Sequence, residues 1–439
     1  MRRIFSDYAY GSGPRTNCWW DETIAAPDWP VLQGEVSADV AVIGGGFTGI
    51  SAALHLAESG VSVVVLEAET PGWGASGRNG GFCCLGGSKL SGGTMRRVFG
   101  KSAADTYHAS EEAAVRLVRG LLQTHGIDAD IHSHGETQLA HNEKAVRRLQ
   151  AEADALRQAG EEPEFLTRDQ LADKGLNGSF HAALTTPVGF ALNPRKYLFG
   201  LSKAAQDAGA RVYQRSAAQS LKQAGRGYVI ETIQGVVRAS KVVIATNGYS
   251  AEDLPGWLAG RYMPAQSTVM VTRPLTRAEL DAQGWFSHQM AYDTRNLLHY
   301  FRLMPDNRFL FGMRGGLLAS PRAEAGIRRK LRQDFEAMFP AWHDVETTHC
   351  WSGMVCLSRN LVPFIGPVPE HPGMLAGLCY HGNGVAMGSY AGRLLSDLVQ
   401  GAAPKLPYAP MVQKMARFPF GRARRMLMPP AYAVLGLMD

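Results

Sequence analysis

The sequence predicts an α/β protein in which a parallel-sheet nucleotide-binding part is interleaved with a second part, of α+β character, built on an antiparallel sheet. Three observations predict it. Residues 39–69 read as strand, glycine turn, helix, strand and acid. Buried strand-like runs that suit the same sheet recur much later, at 211–214, 227–232, 236–245 and 377 onward, so that part is discontinuous in sequence. Between them, 262–274 and 297–312 carry strand patterning with a turn at Pro305-Asp-Asn307, which reads as a hairpin of another sheet.

The first unit justifies itself residue by residue. Residues 39–43 form a short buried strand, 50–59 a helix, and 61–66 a second buried strand ending at Glu67. Gly44 allows the tight turn between strand and helix. Gly46 lets a pyrophosphate approach bare backbone, and Gly49 lets helix and strand pack closely. The helix N-terminus, with Phe47 and Thr48 in its first turn, offers unpaired N–H groups to phosphate. Glu67, 21 residues beyond Gly46, and neighbouring Ala68 suit a ribose. This is a Rossmann-type dinucleotide unit.

The segments that follow specify a flavin dinucleotide. Residues 71–82, PGWGASGRNGGF, carry almost no side-chain bulk: Gly74, Ala75, Ser76, Gly80 and Gly81 can lie against a planar ring, while Arg78 and Asn79 supply donors. Ala218 follows the strand at 211–214. The strand at 242–249 ends in Ala245, Thr246, Asn247 and Gly248. At 377–399 a strand leads through His381, Gly382, Asn383, Gly384, Val385 and Ala386 into a long helix, a second N-terminus able to face an anion.

Four blocks carry a family resemblance: CWWDETIAAPDWP from Cys18, GWGASGRNGG, VIATNGY, and WSGMVCLSRNLVPFIGP from Trp351. With them the chain resembles the D-amino-acid oxidase and sarcosine oxidase superfamily of FAD-dependent amine oxidoreductases, and within it the gamma-glutamylputrescine oxidoreductase group. The resemblance implies a Rossmann-type FAD-binding domain and oxidation of a C–N bond to an imine. It also marks departures. Sarcosine oxidases hold flavin covalently through a cysteine at the position of Gly353 here, so noncovalent FAD is expected. Many oxidases of the superfamily place a lysine over the flavin. No lysine occurs between Lys241 and Lys330, which argues for slow reaction with oxygen and for a dye- or quinone-like acceptor.

The remaining elements follow in order. Helices are expected over 111–124 and 143–159, with short strands at 137–140 and 180–185. A helix begins after Pro194 and stops at Gly209. The expected FAD-binding domain comprises 1–87, 190–255 and 350–405, the substrate domain 88–189 and 256–349, and the tail 406–439. In the tail, Pro429-Pro430 argues against a membrane-surface helix, so packing on the protein's own body or on a second copy is expected.

Residues over the ring should be aromatic or cationic. The candidates are Tyr262, Tyr300, Arg302, Arg314, Trp351 and His381, with Arg302 favoured for a substrate carboxylate because its fork matches two oxygens. His299 and Tyr300 alternate, so only one can face the ring. The expected reaction oxidises a primary or secondary amine carrying a carboxylate. The alternatives are a glycerol-phosphate-type alcohol dehydrogenase and a flavoprotein subunit without catalysis.

Composition excludes other classes. The net charge of +6 is dispersed along 439 residues, so no nucleic-acid partner is expected. The six cysteines show no metal-ligand spacing, and no metal site is expected. The N-terminus lacks an apolar signal core and no apolar run is long enough to span a bilayer; a cytoplasmic protein with reduced thiols is expected.

Overall fold

The computed structural model describes residues 1–439 and contains two eight-stranded sheets. In the first, the order is Phe364–Pro367, Met374–Leu378, Gly235–Ile244, Gly34–Ile43, Val63–Leu66 and Arg211–Tyr213, with Gly227–Glu231 and Ser220–Ala224 attached as a hairpin. The strands from Met374–Leu378 to Arg211–Tyr213 are parallel to one another. At the centre of the sheet their runs are apolar without alternation, as sheets covered on both faces require: Val63–Leu66 is buried throughout, as are the last four residues of Gly34–Ile43 and the last three of Gly235–Ile244. The helix expected at 50–59 spans Phe47–Glu58 and starts directly at the glycine turn. Helix Pro194–Asp207 begins where predicted: the Asn193 side chain accepts from the N–H groups of Arg195 and Lys196, and Pro194 occupies the first turn. Helix Ala386–Val399 crosses Phe47–Glu58 closely, because a Cβ on Gly392 would lie 2.6 Å from that of Ser51.

The second sheet runs Thr347–Ser358, Tyr262–Pro274, Arg308–Arg314, His299–Leu303, Met290–Asp293, Glu136–Leu139, Ala182–Thr186 and Glu164–Thr167. Every pairing is antiparallel except Met290–Asp293 with Glu136–Leu139. Residues 350–358, expected to close the nucleotide domain, instead form part of the long edge strand Thr347–Ser358 of this sheet. Its partner Tyr262–Pro274 has the length to register with it along eleven residue pairs. The helix expected at 111–124 begins earlier, at Lys101.

Strand alternation sorts the two faces of this sheet. Phe301 opposes Phe311 and Leu303 opposes Phe309, and these pack with Trp285, Phe335 and Phe339 beneath helix Pro321–Met338. Tyr300 opposes Gly312 and Ser267 opposes Arg314, on the face turned toward the first sheet. The same face carries Trp351, Val269 and Leu310, which Cys18 and Trp20 of the N-terminal segment cover.

The tail packs on the body. Pro429 and Pro430 open rather than break a helix, Met428–Leu437, because proline suits a first helical turn. The Arg424 side chain is fully buried; its Nη1 reaches Glu252 Oε1 at 2.6 Å and its Nε donates to the Tyr262 carbonyl at 2.8 Å. Arg425 donates to the carbonyls of Pro264 and Leu317, so two of the tail's arginines point inward rather than forming a basic surface. Breaking a buried ion pair strands its partner. Arg424→Met is therefore expected to lower stability by about 3 kcal/mol in denaturant unfolding; an unchanged midpoint would contradict this packing.

Candidate active site

One continuous cavity of about 470 Å³ runs between the two sheets. At one end it is built by the glycine turn. Gly44 has φ +110°, and a Cβ there would lie 2.7 Å from the Ala245 carbonyl oxygen. A Cβ on Gly46 would lie 2.8 Å from Ser76 Oγ, and one on Gly49 would collide with the Gly44 carbonyl. The N-cap of helix Phe47–Glu58 is Gly46, which has no side chain to cap it; Ser76 Oγ accepts from Phe47 N–H at 3.0 Å, and Phe47 and Thr48 line the cavity. Glu67 Oε2 accepts from Gly45 N–H at 2.7 Å and Oε1 from Glu69 N–H at 3.0 Å. Each oxygen keeps a further lone pair for a sugar hydroxyl. Desolvation raises the Glu67 pKa, and the backbone N–H bonds act against that rise. Ala68, Ala218, Ala245, Thr246 and Asn247 complete this end.

The middle is the loop containing Gly74, Ala75, Ser76, Arg78, Asn79 and Gly80, all lining the cavity. Asn79 spends its amide on the loop itself, donating to the Ala75 and Ser76 carbonyls. Arg78 is 2% exposed with no carboxylate partner. Its Nε donates to the Trp73 carbonyl at 2.8 Å and its Nη1 to the Ser352 carbonyl at 3.2 Å, while its guanidinium lies 4.1 Å from the Trp73 ring centroid. Burial lowers its pKa, and Nη2 has no partner. Gly382, Asn383, Gly384 and Val385 face the loop from the second helix N-terminus, Ala386–Val399, which also lacks a side-chain cap.

The far end is the second sheet. Tyr300 lines it, its hydroxyl 2.9 Å from Ser267 Oγ and its ring edge-on to Phe82. His299 takes the other face, stacked on Phe311 and bonded to Asp293 and Asp334. Arg314 lines the cavity, half-buried, with one nitrogen donating to the His381 carbonyl at 3.1 Å. His381 also lines it, but both ring nitrogens serve backbone: Nδ1 donates to the Gly87 carbonyl and Nε2 accepts from Ser358 N–H. Burial pulls its pKa down to about 4, so it is a neutral brace for the turn rather than an acid.

Three expected ring neighbours lie elsewhere. Tyr262 is buried, its hydroxyl donating to the Ser250 carbonyl at 2.6 Å. Trp351 is buried against Trp20, its Nε1 donating to the Arg78 carbonyl at 2.8 Å. Arg302 shares a face with Tyr300 but sits two residues farther along the strand. There it donates to the Leu192 carbonyl and meets His132 in a separate, smaller cavity. Four expected cofactor contacts do not line the cavity either. Gly49, Gly81 and Gly248 pack on Gly44, Leu192 and Met354, and Ala386 lies buried inside its helix.

The cavity also holds residues that sequence reasoning missed: Cys84, Lys89, Glu136, Ser267 and Tyr292. Lys89 lies outside the lysine-free stretch between Lys241 and Lys330, so that stretch does not leave the cavity without an ammonium group. Lys89 faces the cavity solvent, where desolvation by the walls and the Arg314 charge pull its pKa down to about 8. Glu136 falls one residue short of the strand expected at 137–140, and in a strand reading Glu-Thr-Gln-Leu no local contrast marks it out.

Two helix N-termini without a cap from their own N-cap residues, a ribose-suited acid and a glycine-rich loop in one cavity define a flavin-dinucleotide oxidoreductase. The orphaned Arg78 Nη2 and the close glycines fit that cofactor. The sequence signature described as FAD dependent oxidoreductase (DAO) matches residues 39–398. A probable oxidoreductase OrdL of Rhizobium meliloti (strain 1021) is 32% identical over 92% of each chain. Gamma-glutamylputrescine oxidoreductase of Escherichia coli (strain K12) is 30% identical over 90% of this chain and 91% of its own. The crystal structure of glycine oxidase from Geobacillus kaustophilus shares the fold, with TM-score 0.72 and 22% identity over 86% of this chain and 98% of its own. The chain belongs to the DAO family of FAD-dependent oxidoreductases, two of whose relatives are named for gamma-glutamylputrescine and for glycine. No helix is long and apolar enough to cross a membrane.

Arg78→Met removes the charge and its two directed N–H bonds, to the Trp73 and Ser352 carbonyls. It is expected to cost about 3 kcal/mol of stability and to release FAD on desalting; retained flavin with an unchanged unfolding midpoint would contradict its role.

Proposed function

We propose that this enzyme oxidises the C–N bond of a primary or secondary amine bearing a carboxylate, giving an imine that water hydrolyses to a carbonyl compound and an amine or ammonia. The observation that carries this reading is the single cavity in which the flavin-suited loop at 74–80 faces Tyr300 and Arg314 of the second sheet. Bound FAD supplies the two-electron acceptor. The substrate nitrogen must reach it unprotonated, with the C–H to be broken held in line. Arg314 is placed to hold the carboxylate, since its fork matches two oxygens and one nitrogen is already anchored on His381. The Ser267–Tyr300 hydroxyl pair and the Tyr300 ring shape the space beside it. The relatives' names put gamma-glutamylputrescine and glycine on the first panel, and the superfamily resemblance adds N-methyl amino acids and D-amino acids.

Anaerobic mixing with that panel, without NADPH, is expected to bleach the flavin with at least one carboxylated amine. Bleaching by glycerol phosphate alone, or by no member, would overturn the reading. Arg314→Met is expected to raise KM for that amine by about 10- to 100-fold. Arg302→Met is expected to leave KM within about twofold, because a buried strand residue outside the cavity touches no substrate; the reverse pattern would move the carboxylate site.

FAD is proposed to be held without a covalent link. Gly353 offers no nucleophile, and Cys356, although it lines the cavity, sits with its sulfur 3.4 Å from that of Cys379. Acid precipitation is expected to leave the yellow colour in the supernatant; flavin retained on the polypeptide would implicate Cys356 or Cys84.

A further inference from the structure

The cavity contains an acid that neither FAD binding nor carboxylate recognition uses. Glu136, on strand Glu136–Leu139, is 6% exposed and lines the same space as Tyr300 and Arg314. Register across the sheet explains how it gets there. Tyr300 opposes Tyr292, Tyr292 opposes Gln138, and Glu136 is two residues before Gln138, so all four share the cavity face. Toward the outer edge, that face is closed by Leu184 and helix Glu143–Gln158. Glu136 is thus the last charged position on the cavity side before the sheet is covered.

The surroundings leave half the carboxyl group without a partner. Tyr292 Oη donates to Oε1 at 3.4 Å, a long bond, and Oε2 has none. No arginine or lysine lies within ion-pair distance, although the chain pairs most of its other buried acids: Asp293 with Arg295 and His299, Glu252 with Arg424. Burial pushes the Glu136 pKa up to about 8, while the Cys84 thiol and Tyr292 hydroxyl pull the other way. A buried acid without a cation is costly, and one aimed into a ligand cavity marks where the ligand supplies the missing charge.

We propose that Glu136, with Tyr292 beside it, is a specificity-determining site for a positively charged nitrogen of the substrate, distinct from the nitrogen that is oxidised. The distinction follows from the chemistry. An ion pair with a buried carboxylate holds a nitrogen protonated, whereas C–N oxidation needs a free lone pair. With Arg314 taking the carboxylate, the site selects amines that carry both an anionic group and a second, cationic nitrogen, the class formed when a carboxylated group is attached to an aliphatic diamine. The proposal rests on the amine-oxidation reading above.

Two matched carboxylated amines test it: N-aminobutylglycine and N-pentylglycine, which differ in one terminal ammonium replaced by methyl. Their dissociation constants for the FAD-loaded protein are read from thermal shift and from the perturbed flavin spectrum, separately from bleaching. Wild type is expected to favour the ammonium compound by about 10-fold or more. Glu136→Gln is expected to bring the ratio to about one, and Tyr292→Phe to reduce it by a smaller factor, since only a weak hydrogen bond is lost. No preference in wild type, or a preference that survives Glu136→Gln, overturns the proposal; equal weakening of both compounds counts as survival. The wild-type ratio needs no variant, so a poorly folding Glu136→Gln protein leaves the test intact. If both compounds bind with the expected ratio and neither bleaches flavin, the cation site stands, and the amine-oxidation reading is decided by the wider amine panel alone.

Discussion

The arrangement depends on how one buried cation is held. Arg78 sits at the seam of the two sheets with no acid beside it, donating to Trp73 of its own loop and to Ser352 of the second sheet, while its carbonyl accepts from Trp351. A guanidinium in that setting is tolerated only when dipoles and aromatic faces surround it; Trp73 and Tyr249 supply the faces. The consequence is a loop pinned to a strand of the opposite sheet. The glycines that follow Arg78 can then form a flat wall without side chains of their own to stiffen it, and the N-terminal segment seals the back through Trp20, whose Nε1 donates to the Asn79 carbonyl.

From that seam outward, the chemistry of the second sheet is a matter of parity and distance along the strand. Parity puts Tyr300 inside and His299 outside, and gives Gly312 the place opposite Tyr300, where any Cβ would strike the tyrosine ring. Distance along the strand separates Arg314 from Arg302: both share the cavity face, yet Arg302 overshoots the opening and becomes a structural donor to Leu192. Burial there pulls its pKa down to about 9, while the charges of Asp130 and Asp306 act against the fall.

This sets what was legible in the sequence. The glycine turn, Glu67 and the 71–82 loop are local patterns whose spacing carries their geometry, so fold class and cofactor could be read directly. The hairpin at 299–314 was legible for the same reason. The substrate end was not. Alternation tells which face a residue takes, but not how far the cavity extends along it, so nothing local separates Arg302, which lies outside the cavity, from Arg314, which lines it, or shows that Tyr262 and Trp351 are buried away from it. Lys89 and Glu136 arrive from segments whose place in the cavity is set by nonlocal pairing: Lys89 through its N–H bond to the Leu361 carbonyl, and Glu136 through the parallel register with Met290. No spacing rule within their own neighbourhoods encodes that. The strand at 347–358 went to the wrong sheet because its proximity in sequence to the terminal FAD-facing helix outweighed its length, which matches Tyr262–Pro274.

The central claim is that flavin and substrate meet in the cavity between the loop at 74–80 and the Tyr300–Arg314 face. A crystal structure of the FAD-loaded enzyme with pentanoate, a carboxylate that has no amine to oxidise, tests it most directly. The account predicts the isoalloxazine against the 74–80 backbone and the carboxylate within about 3 Å of the Arg314 guanidinium. A carboxylate bound at Arg302 in the neighbouring cavity, or a flavin ring turned away from the second sheet, would contradict it.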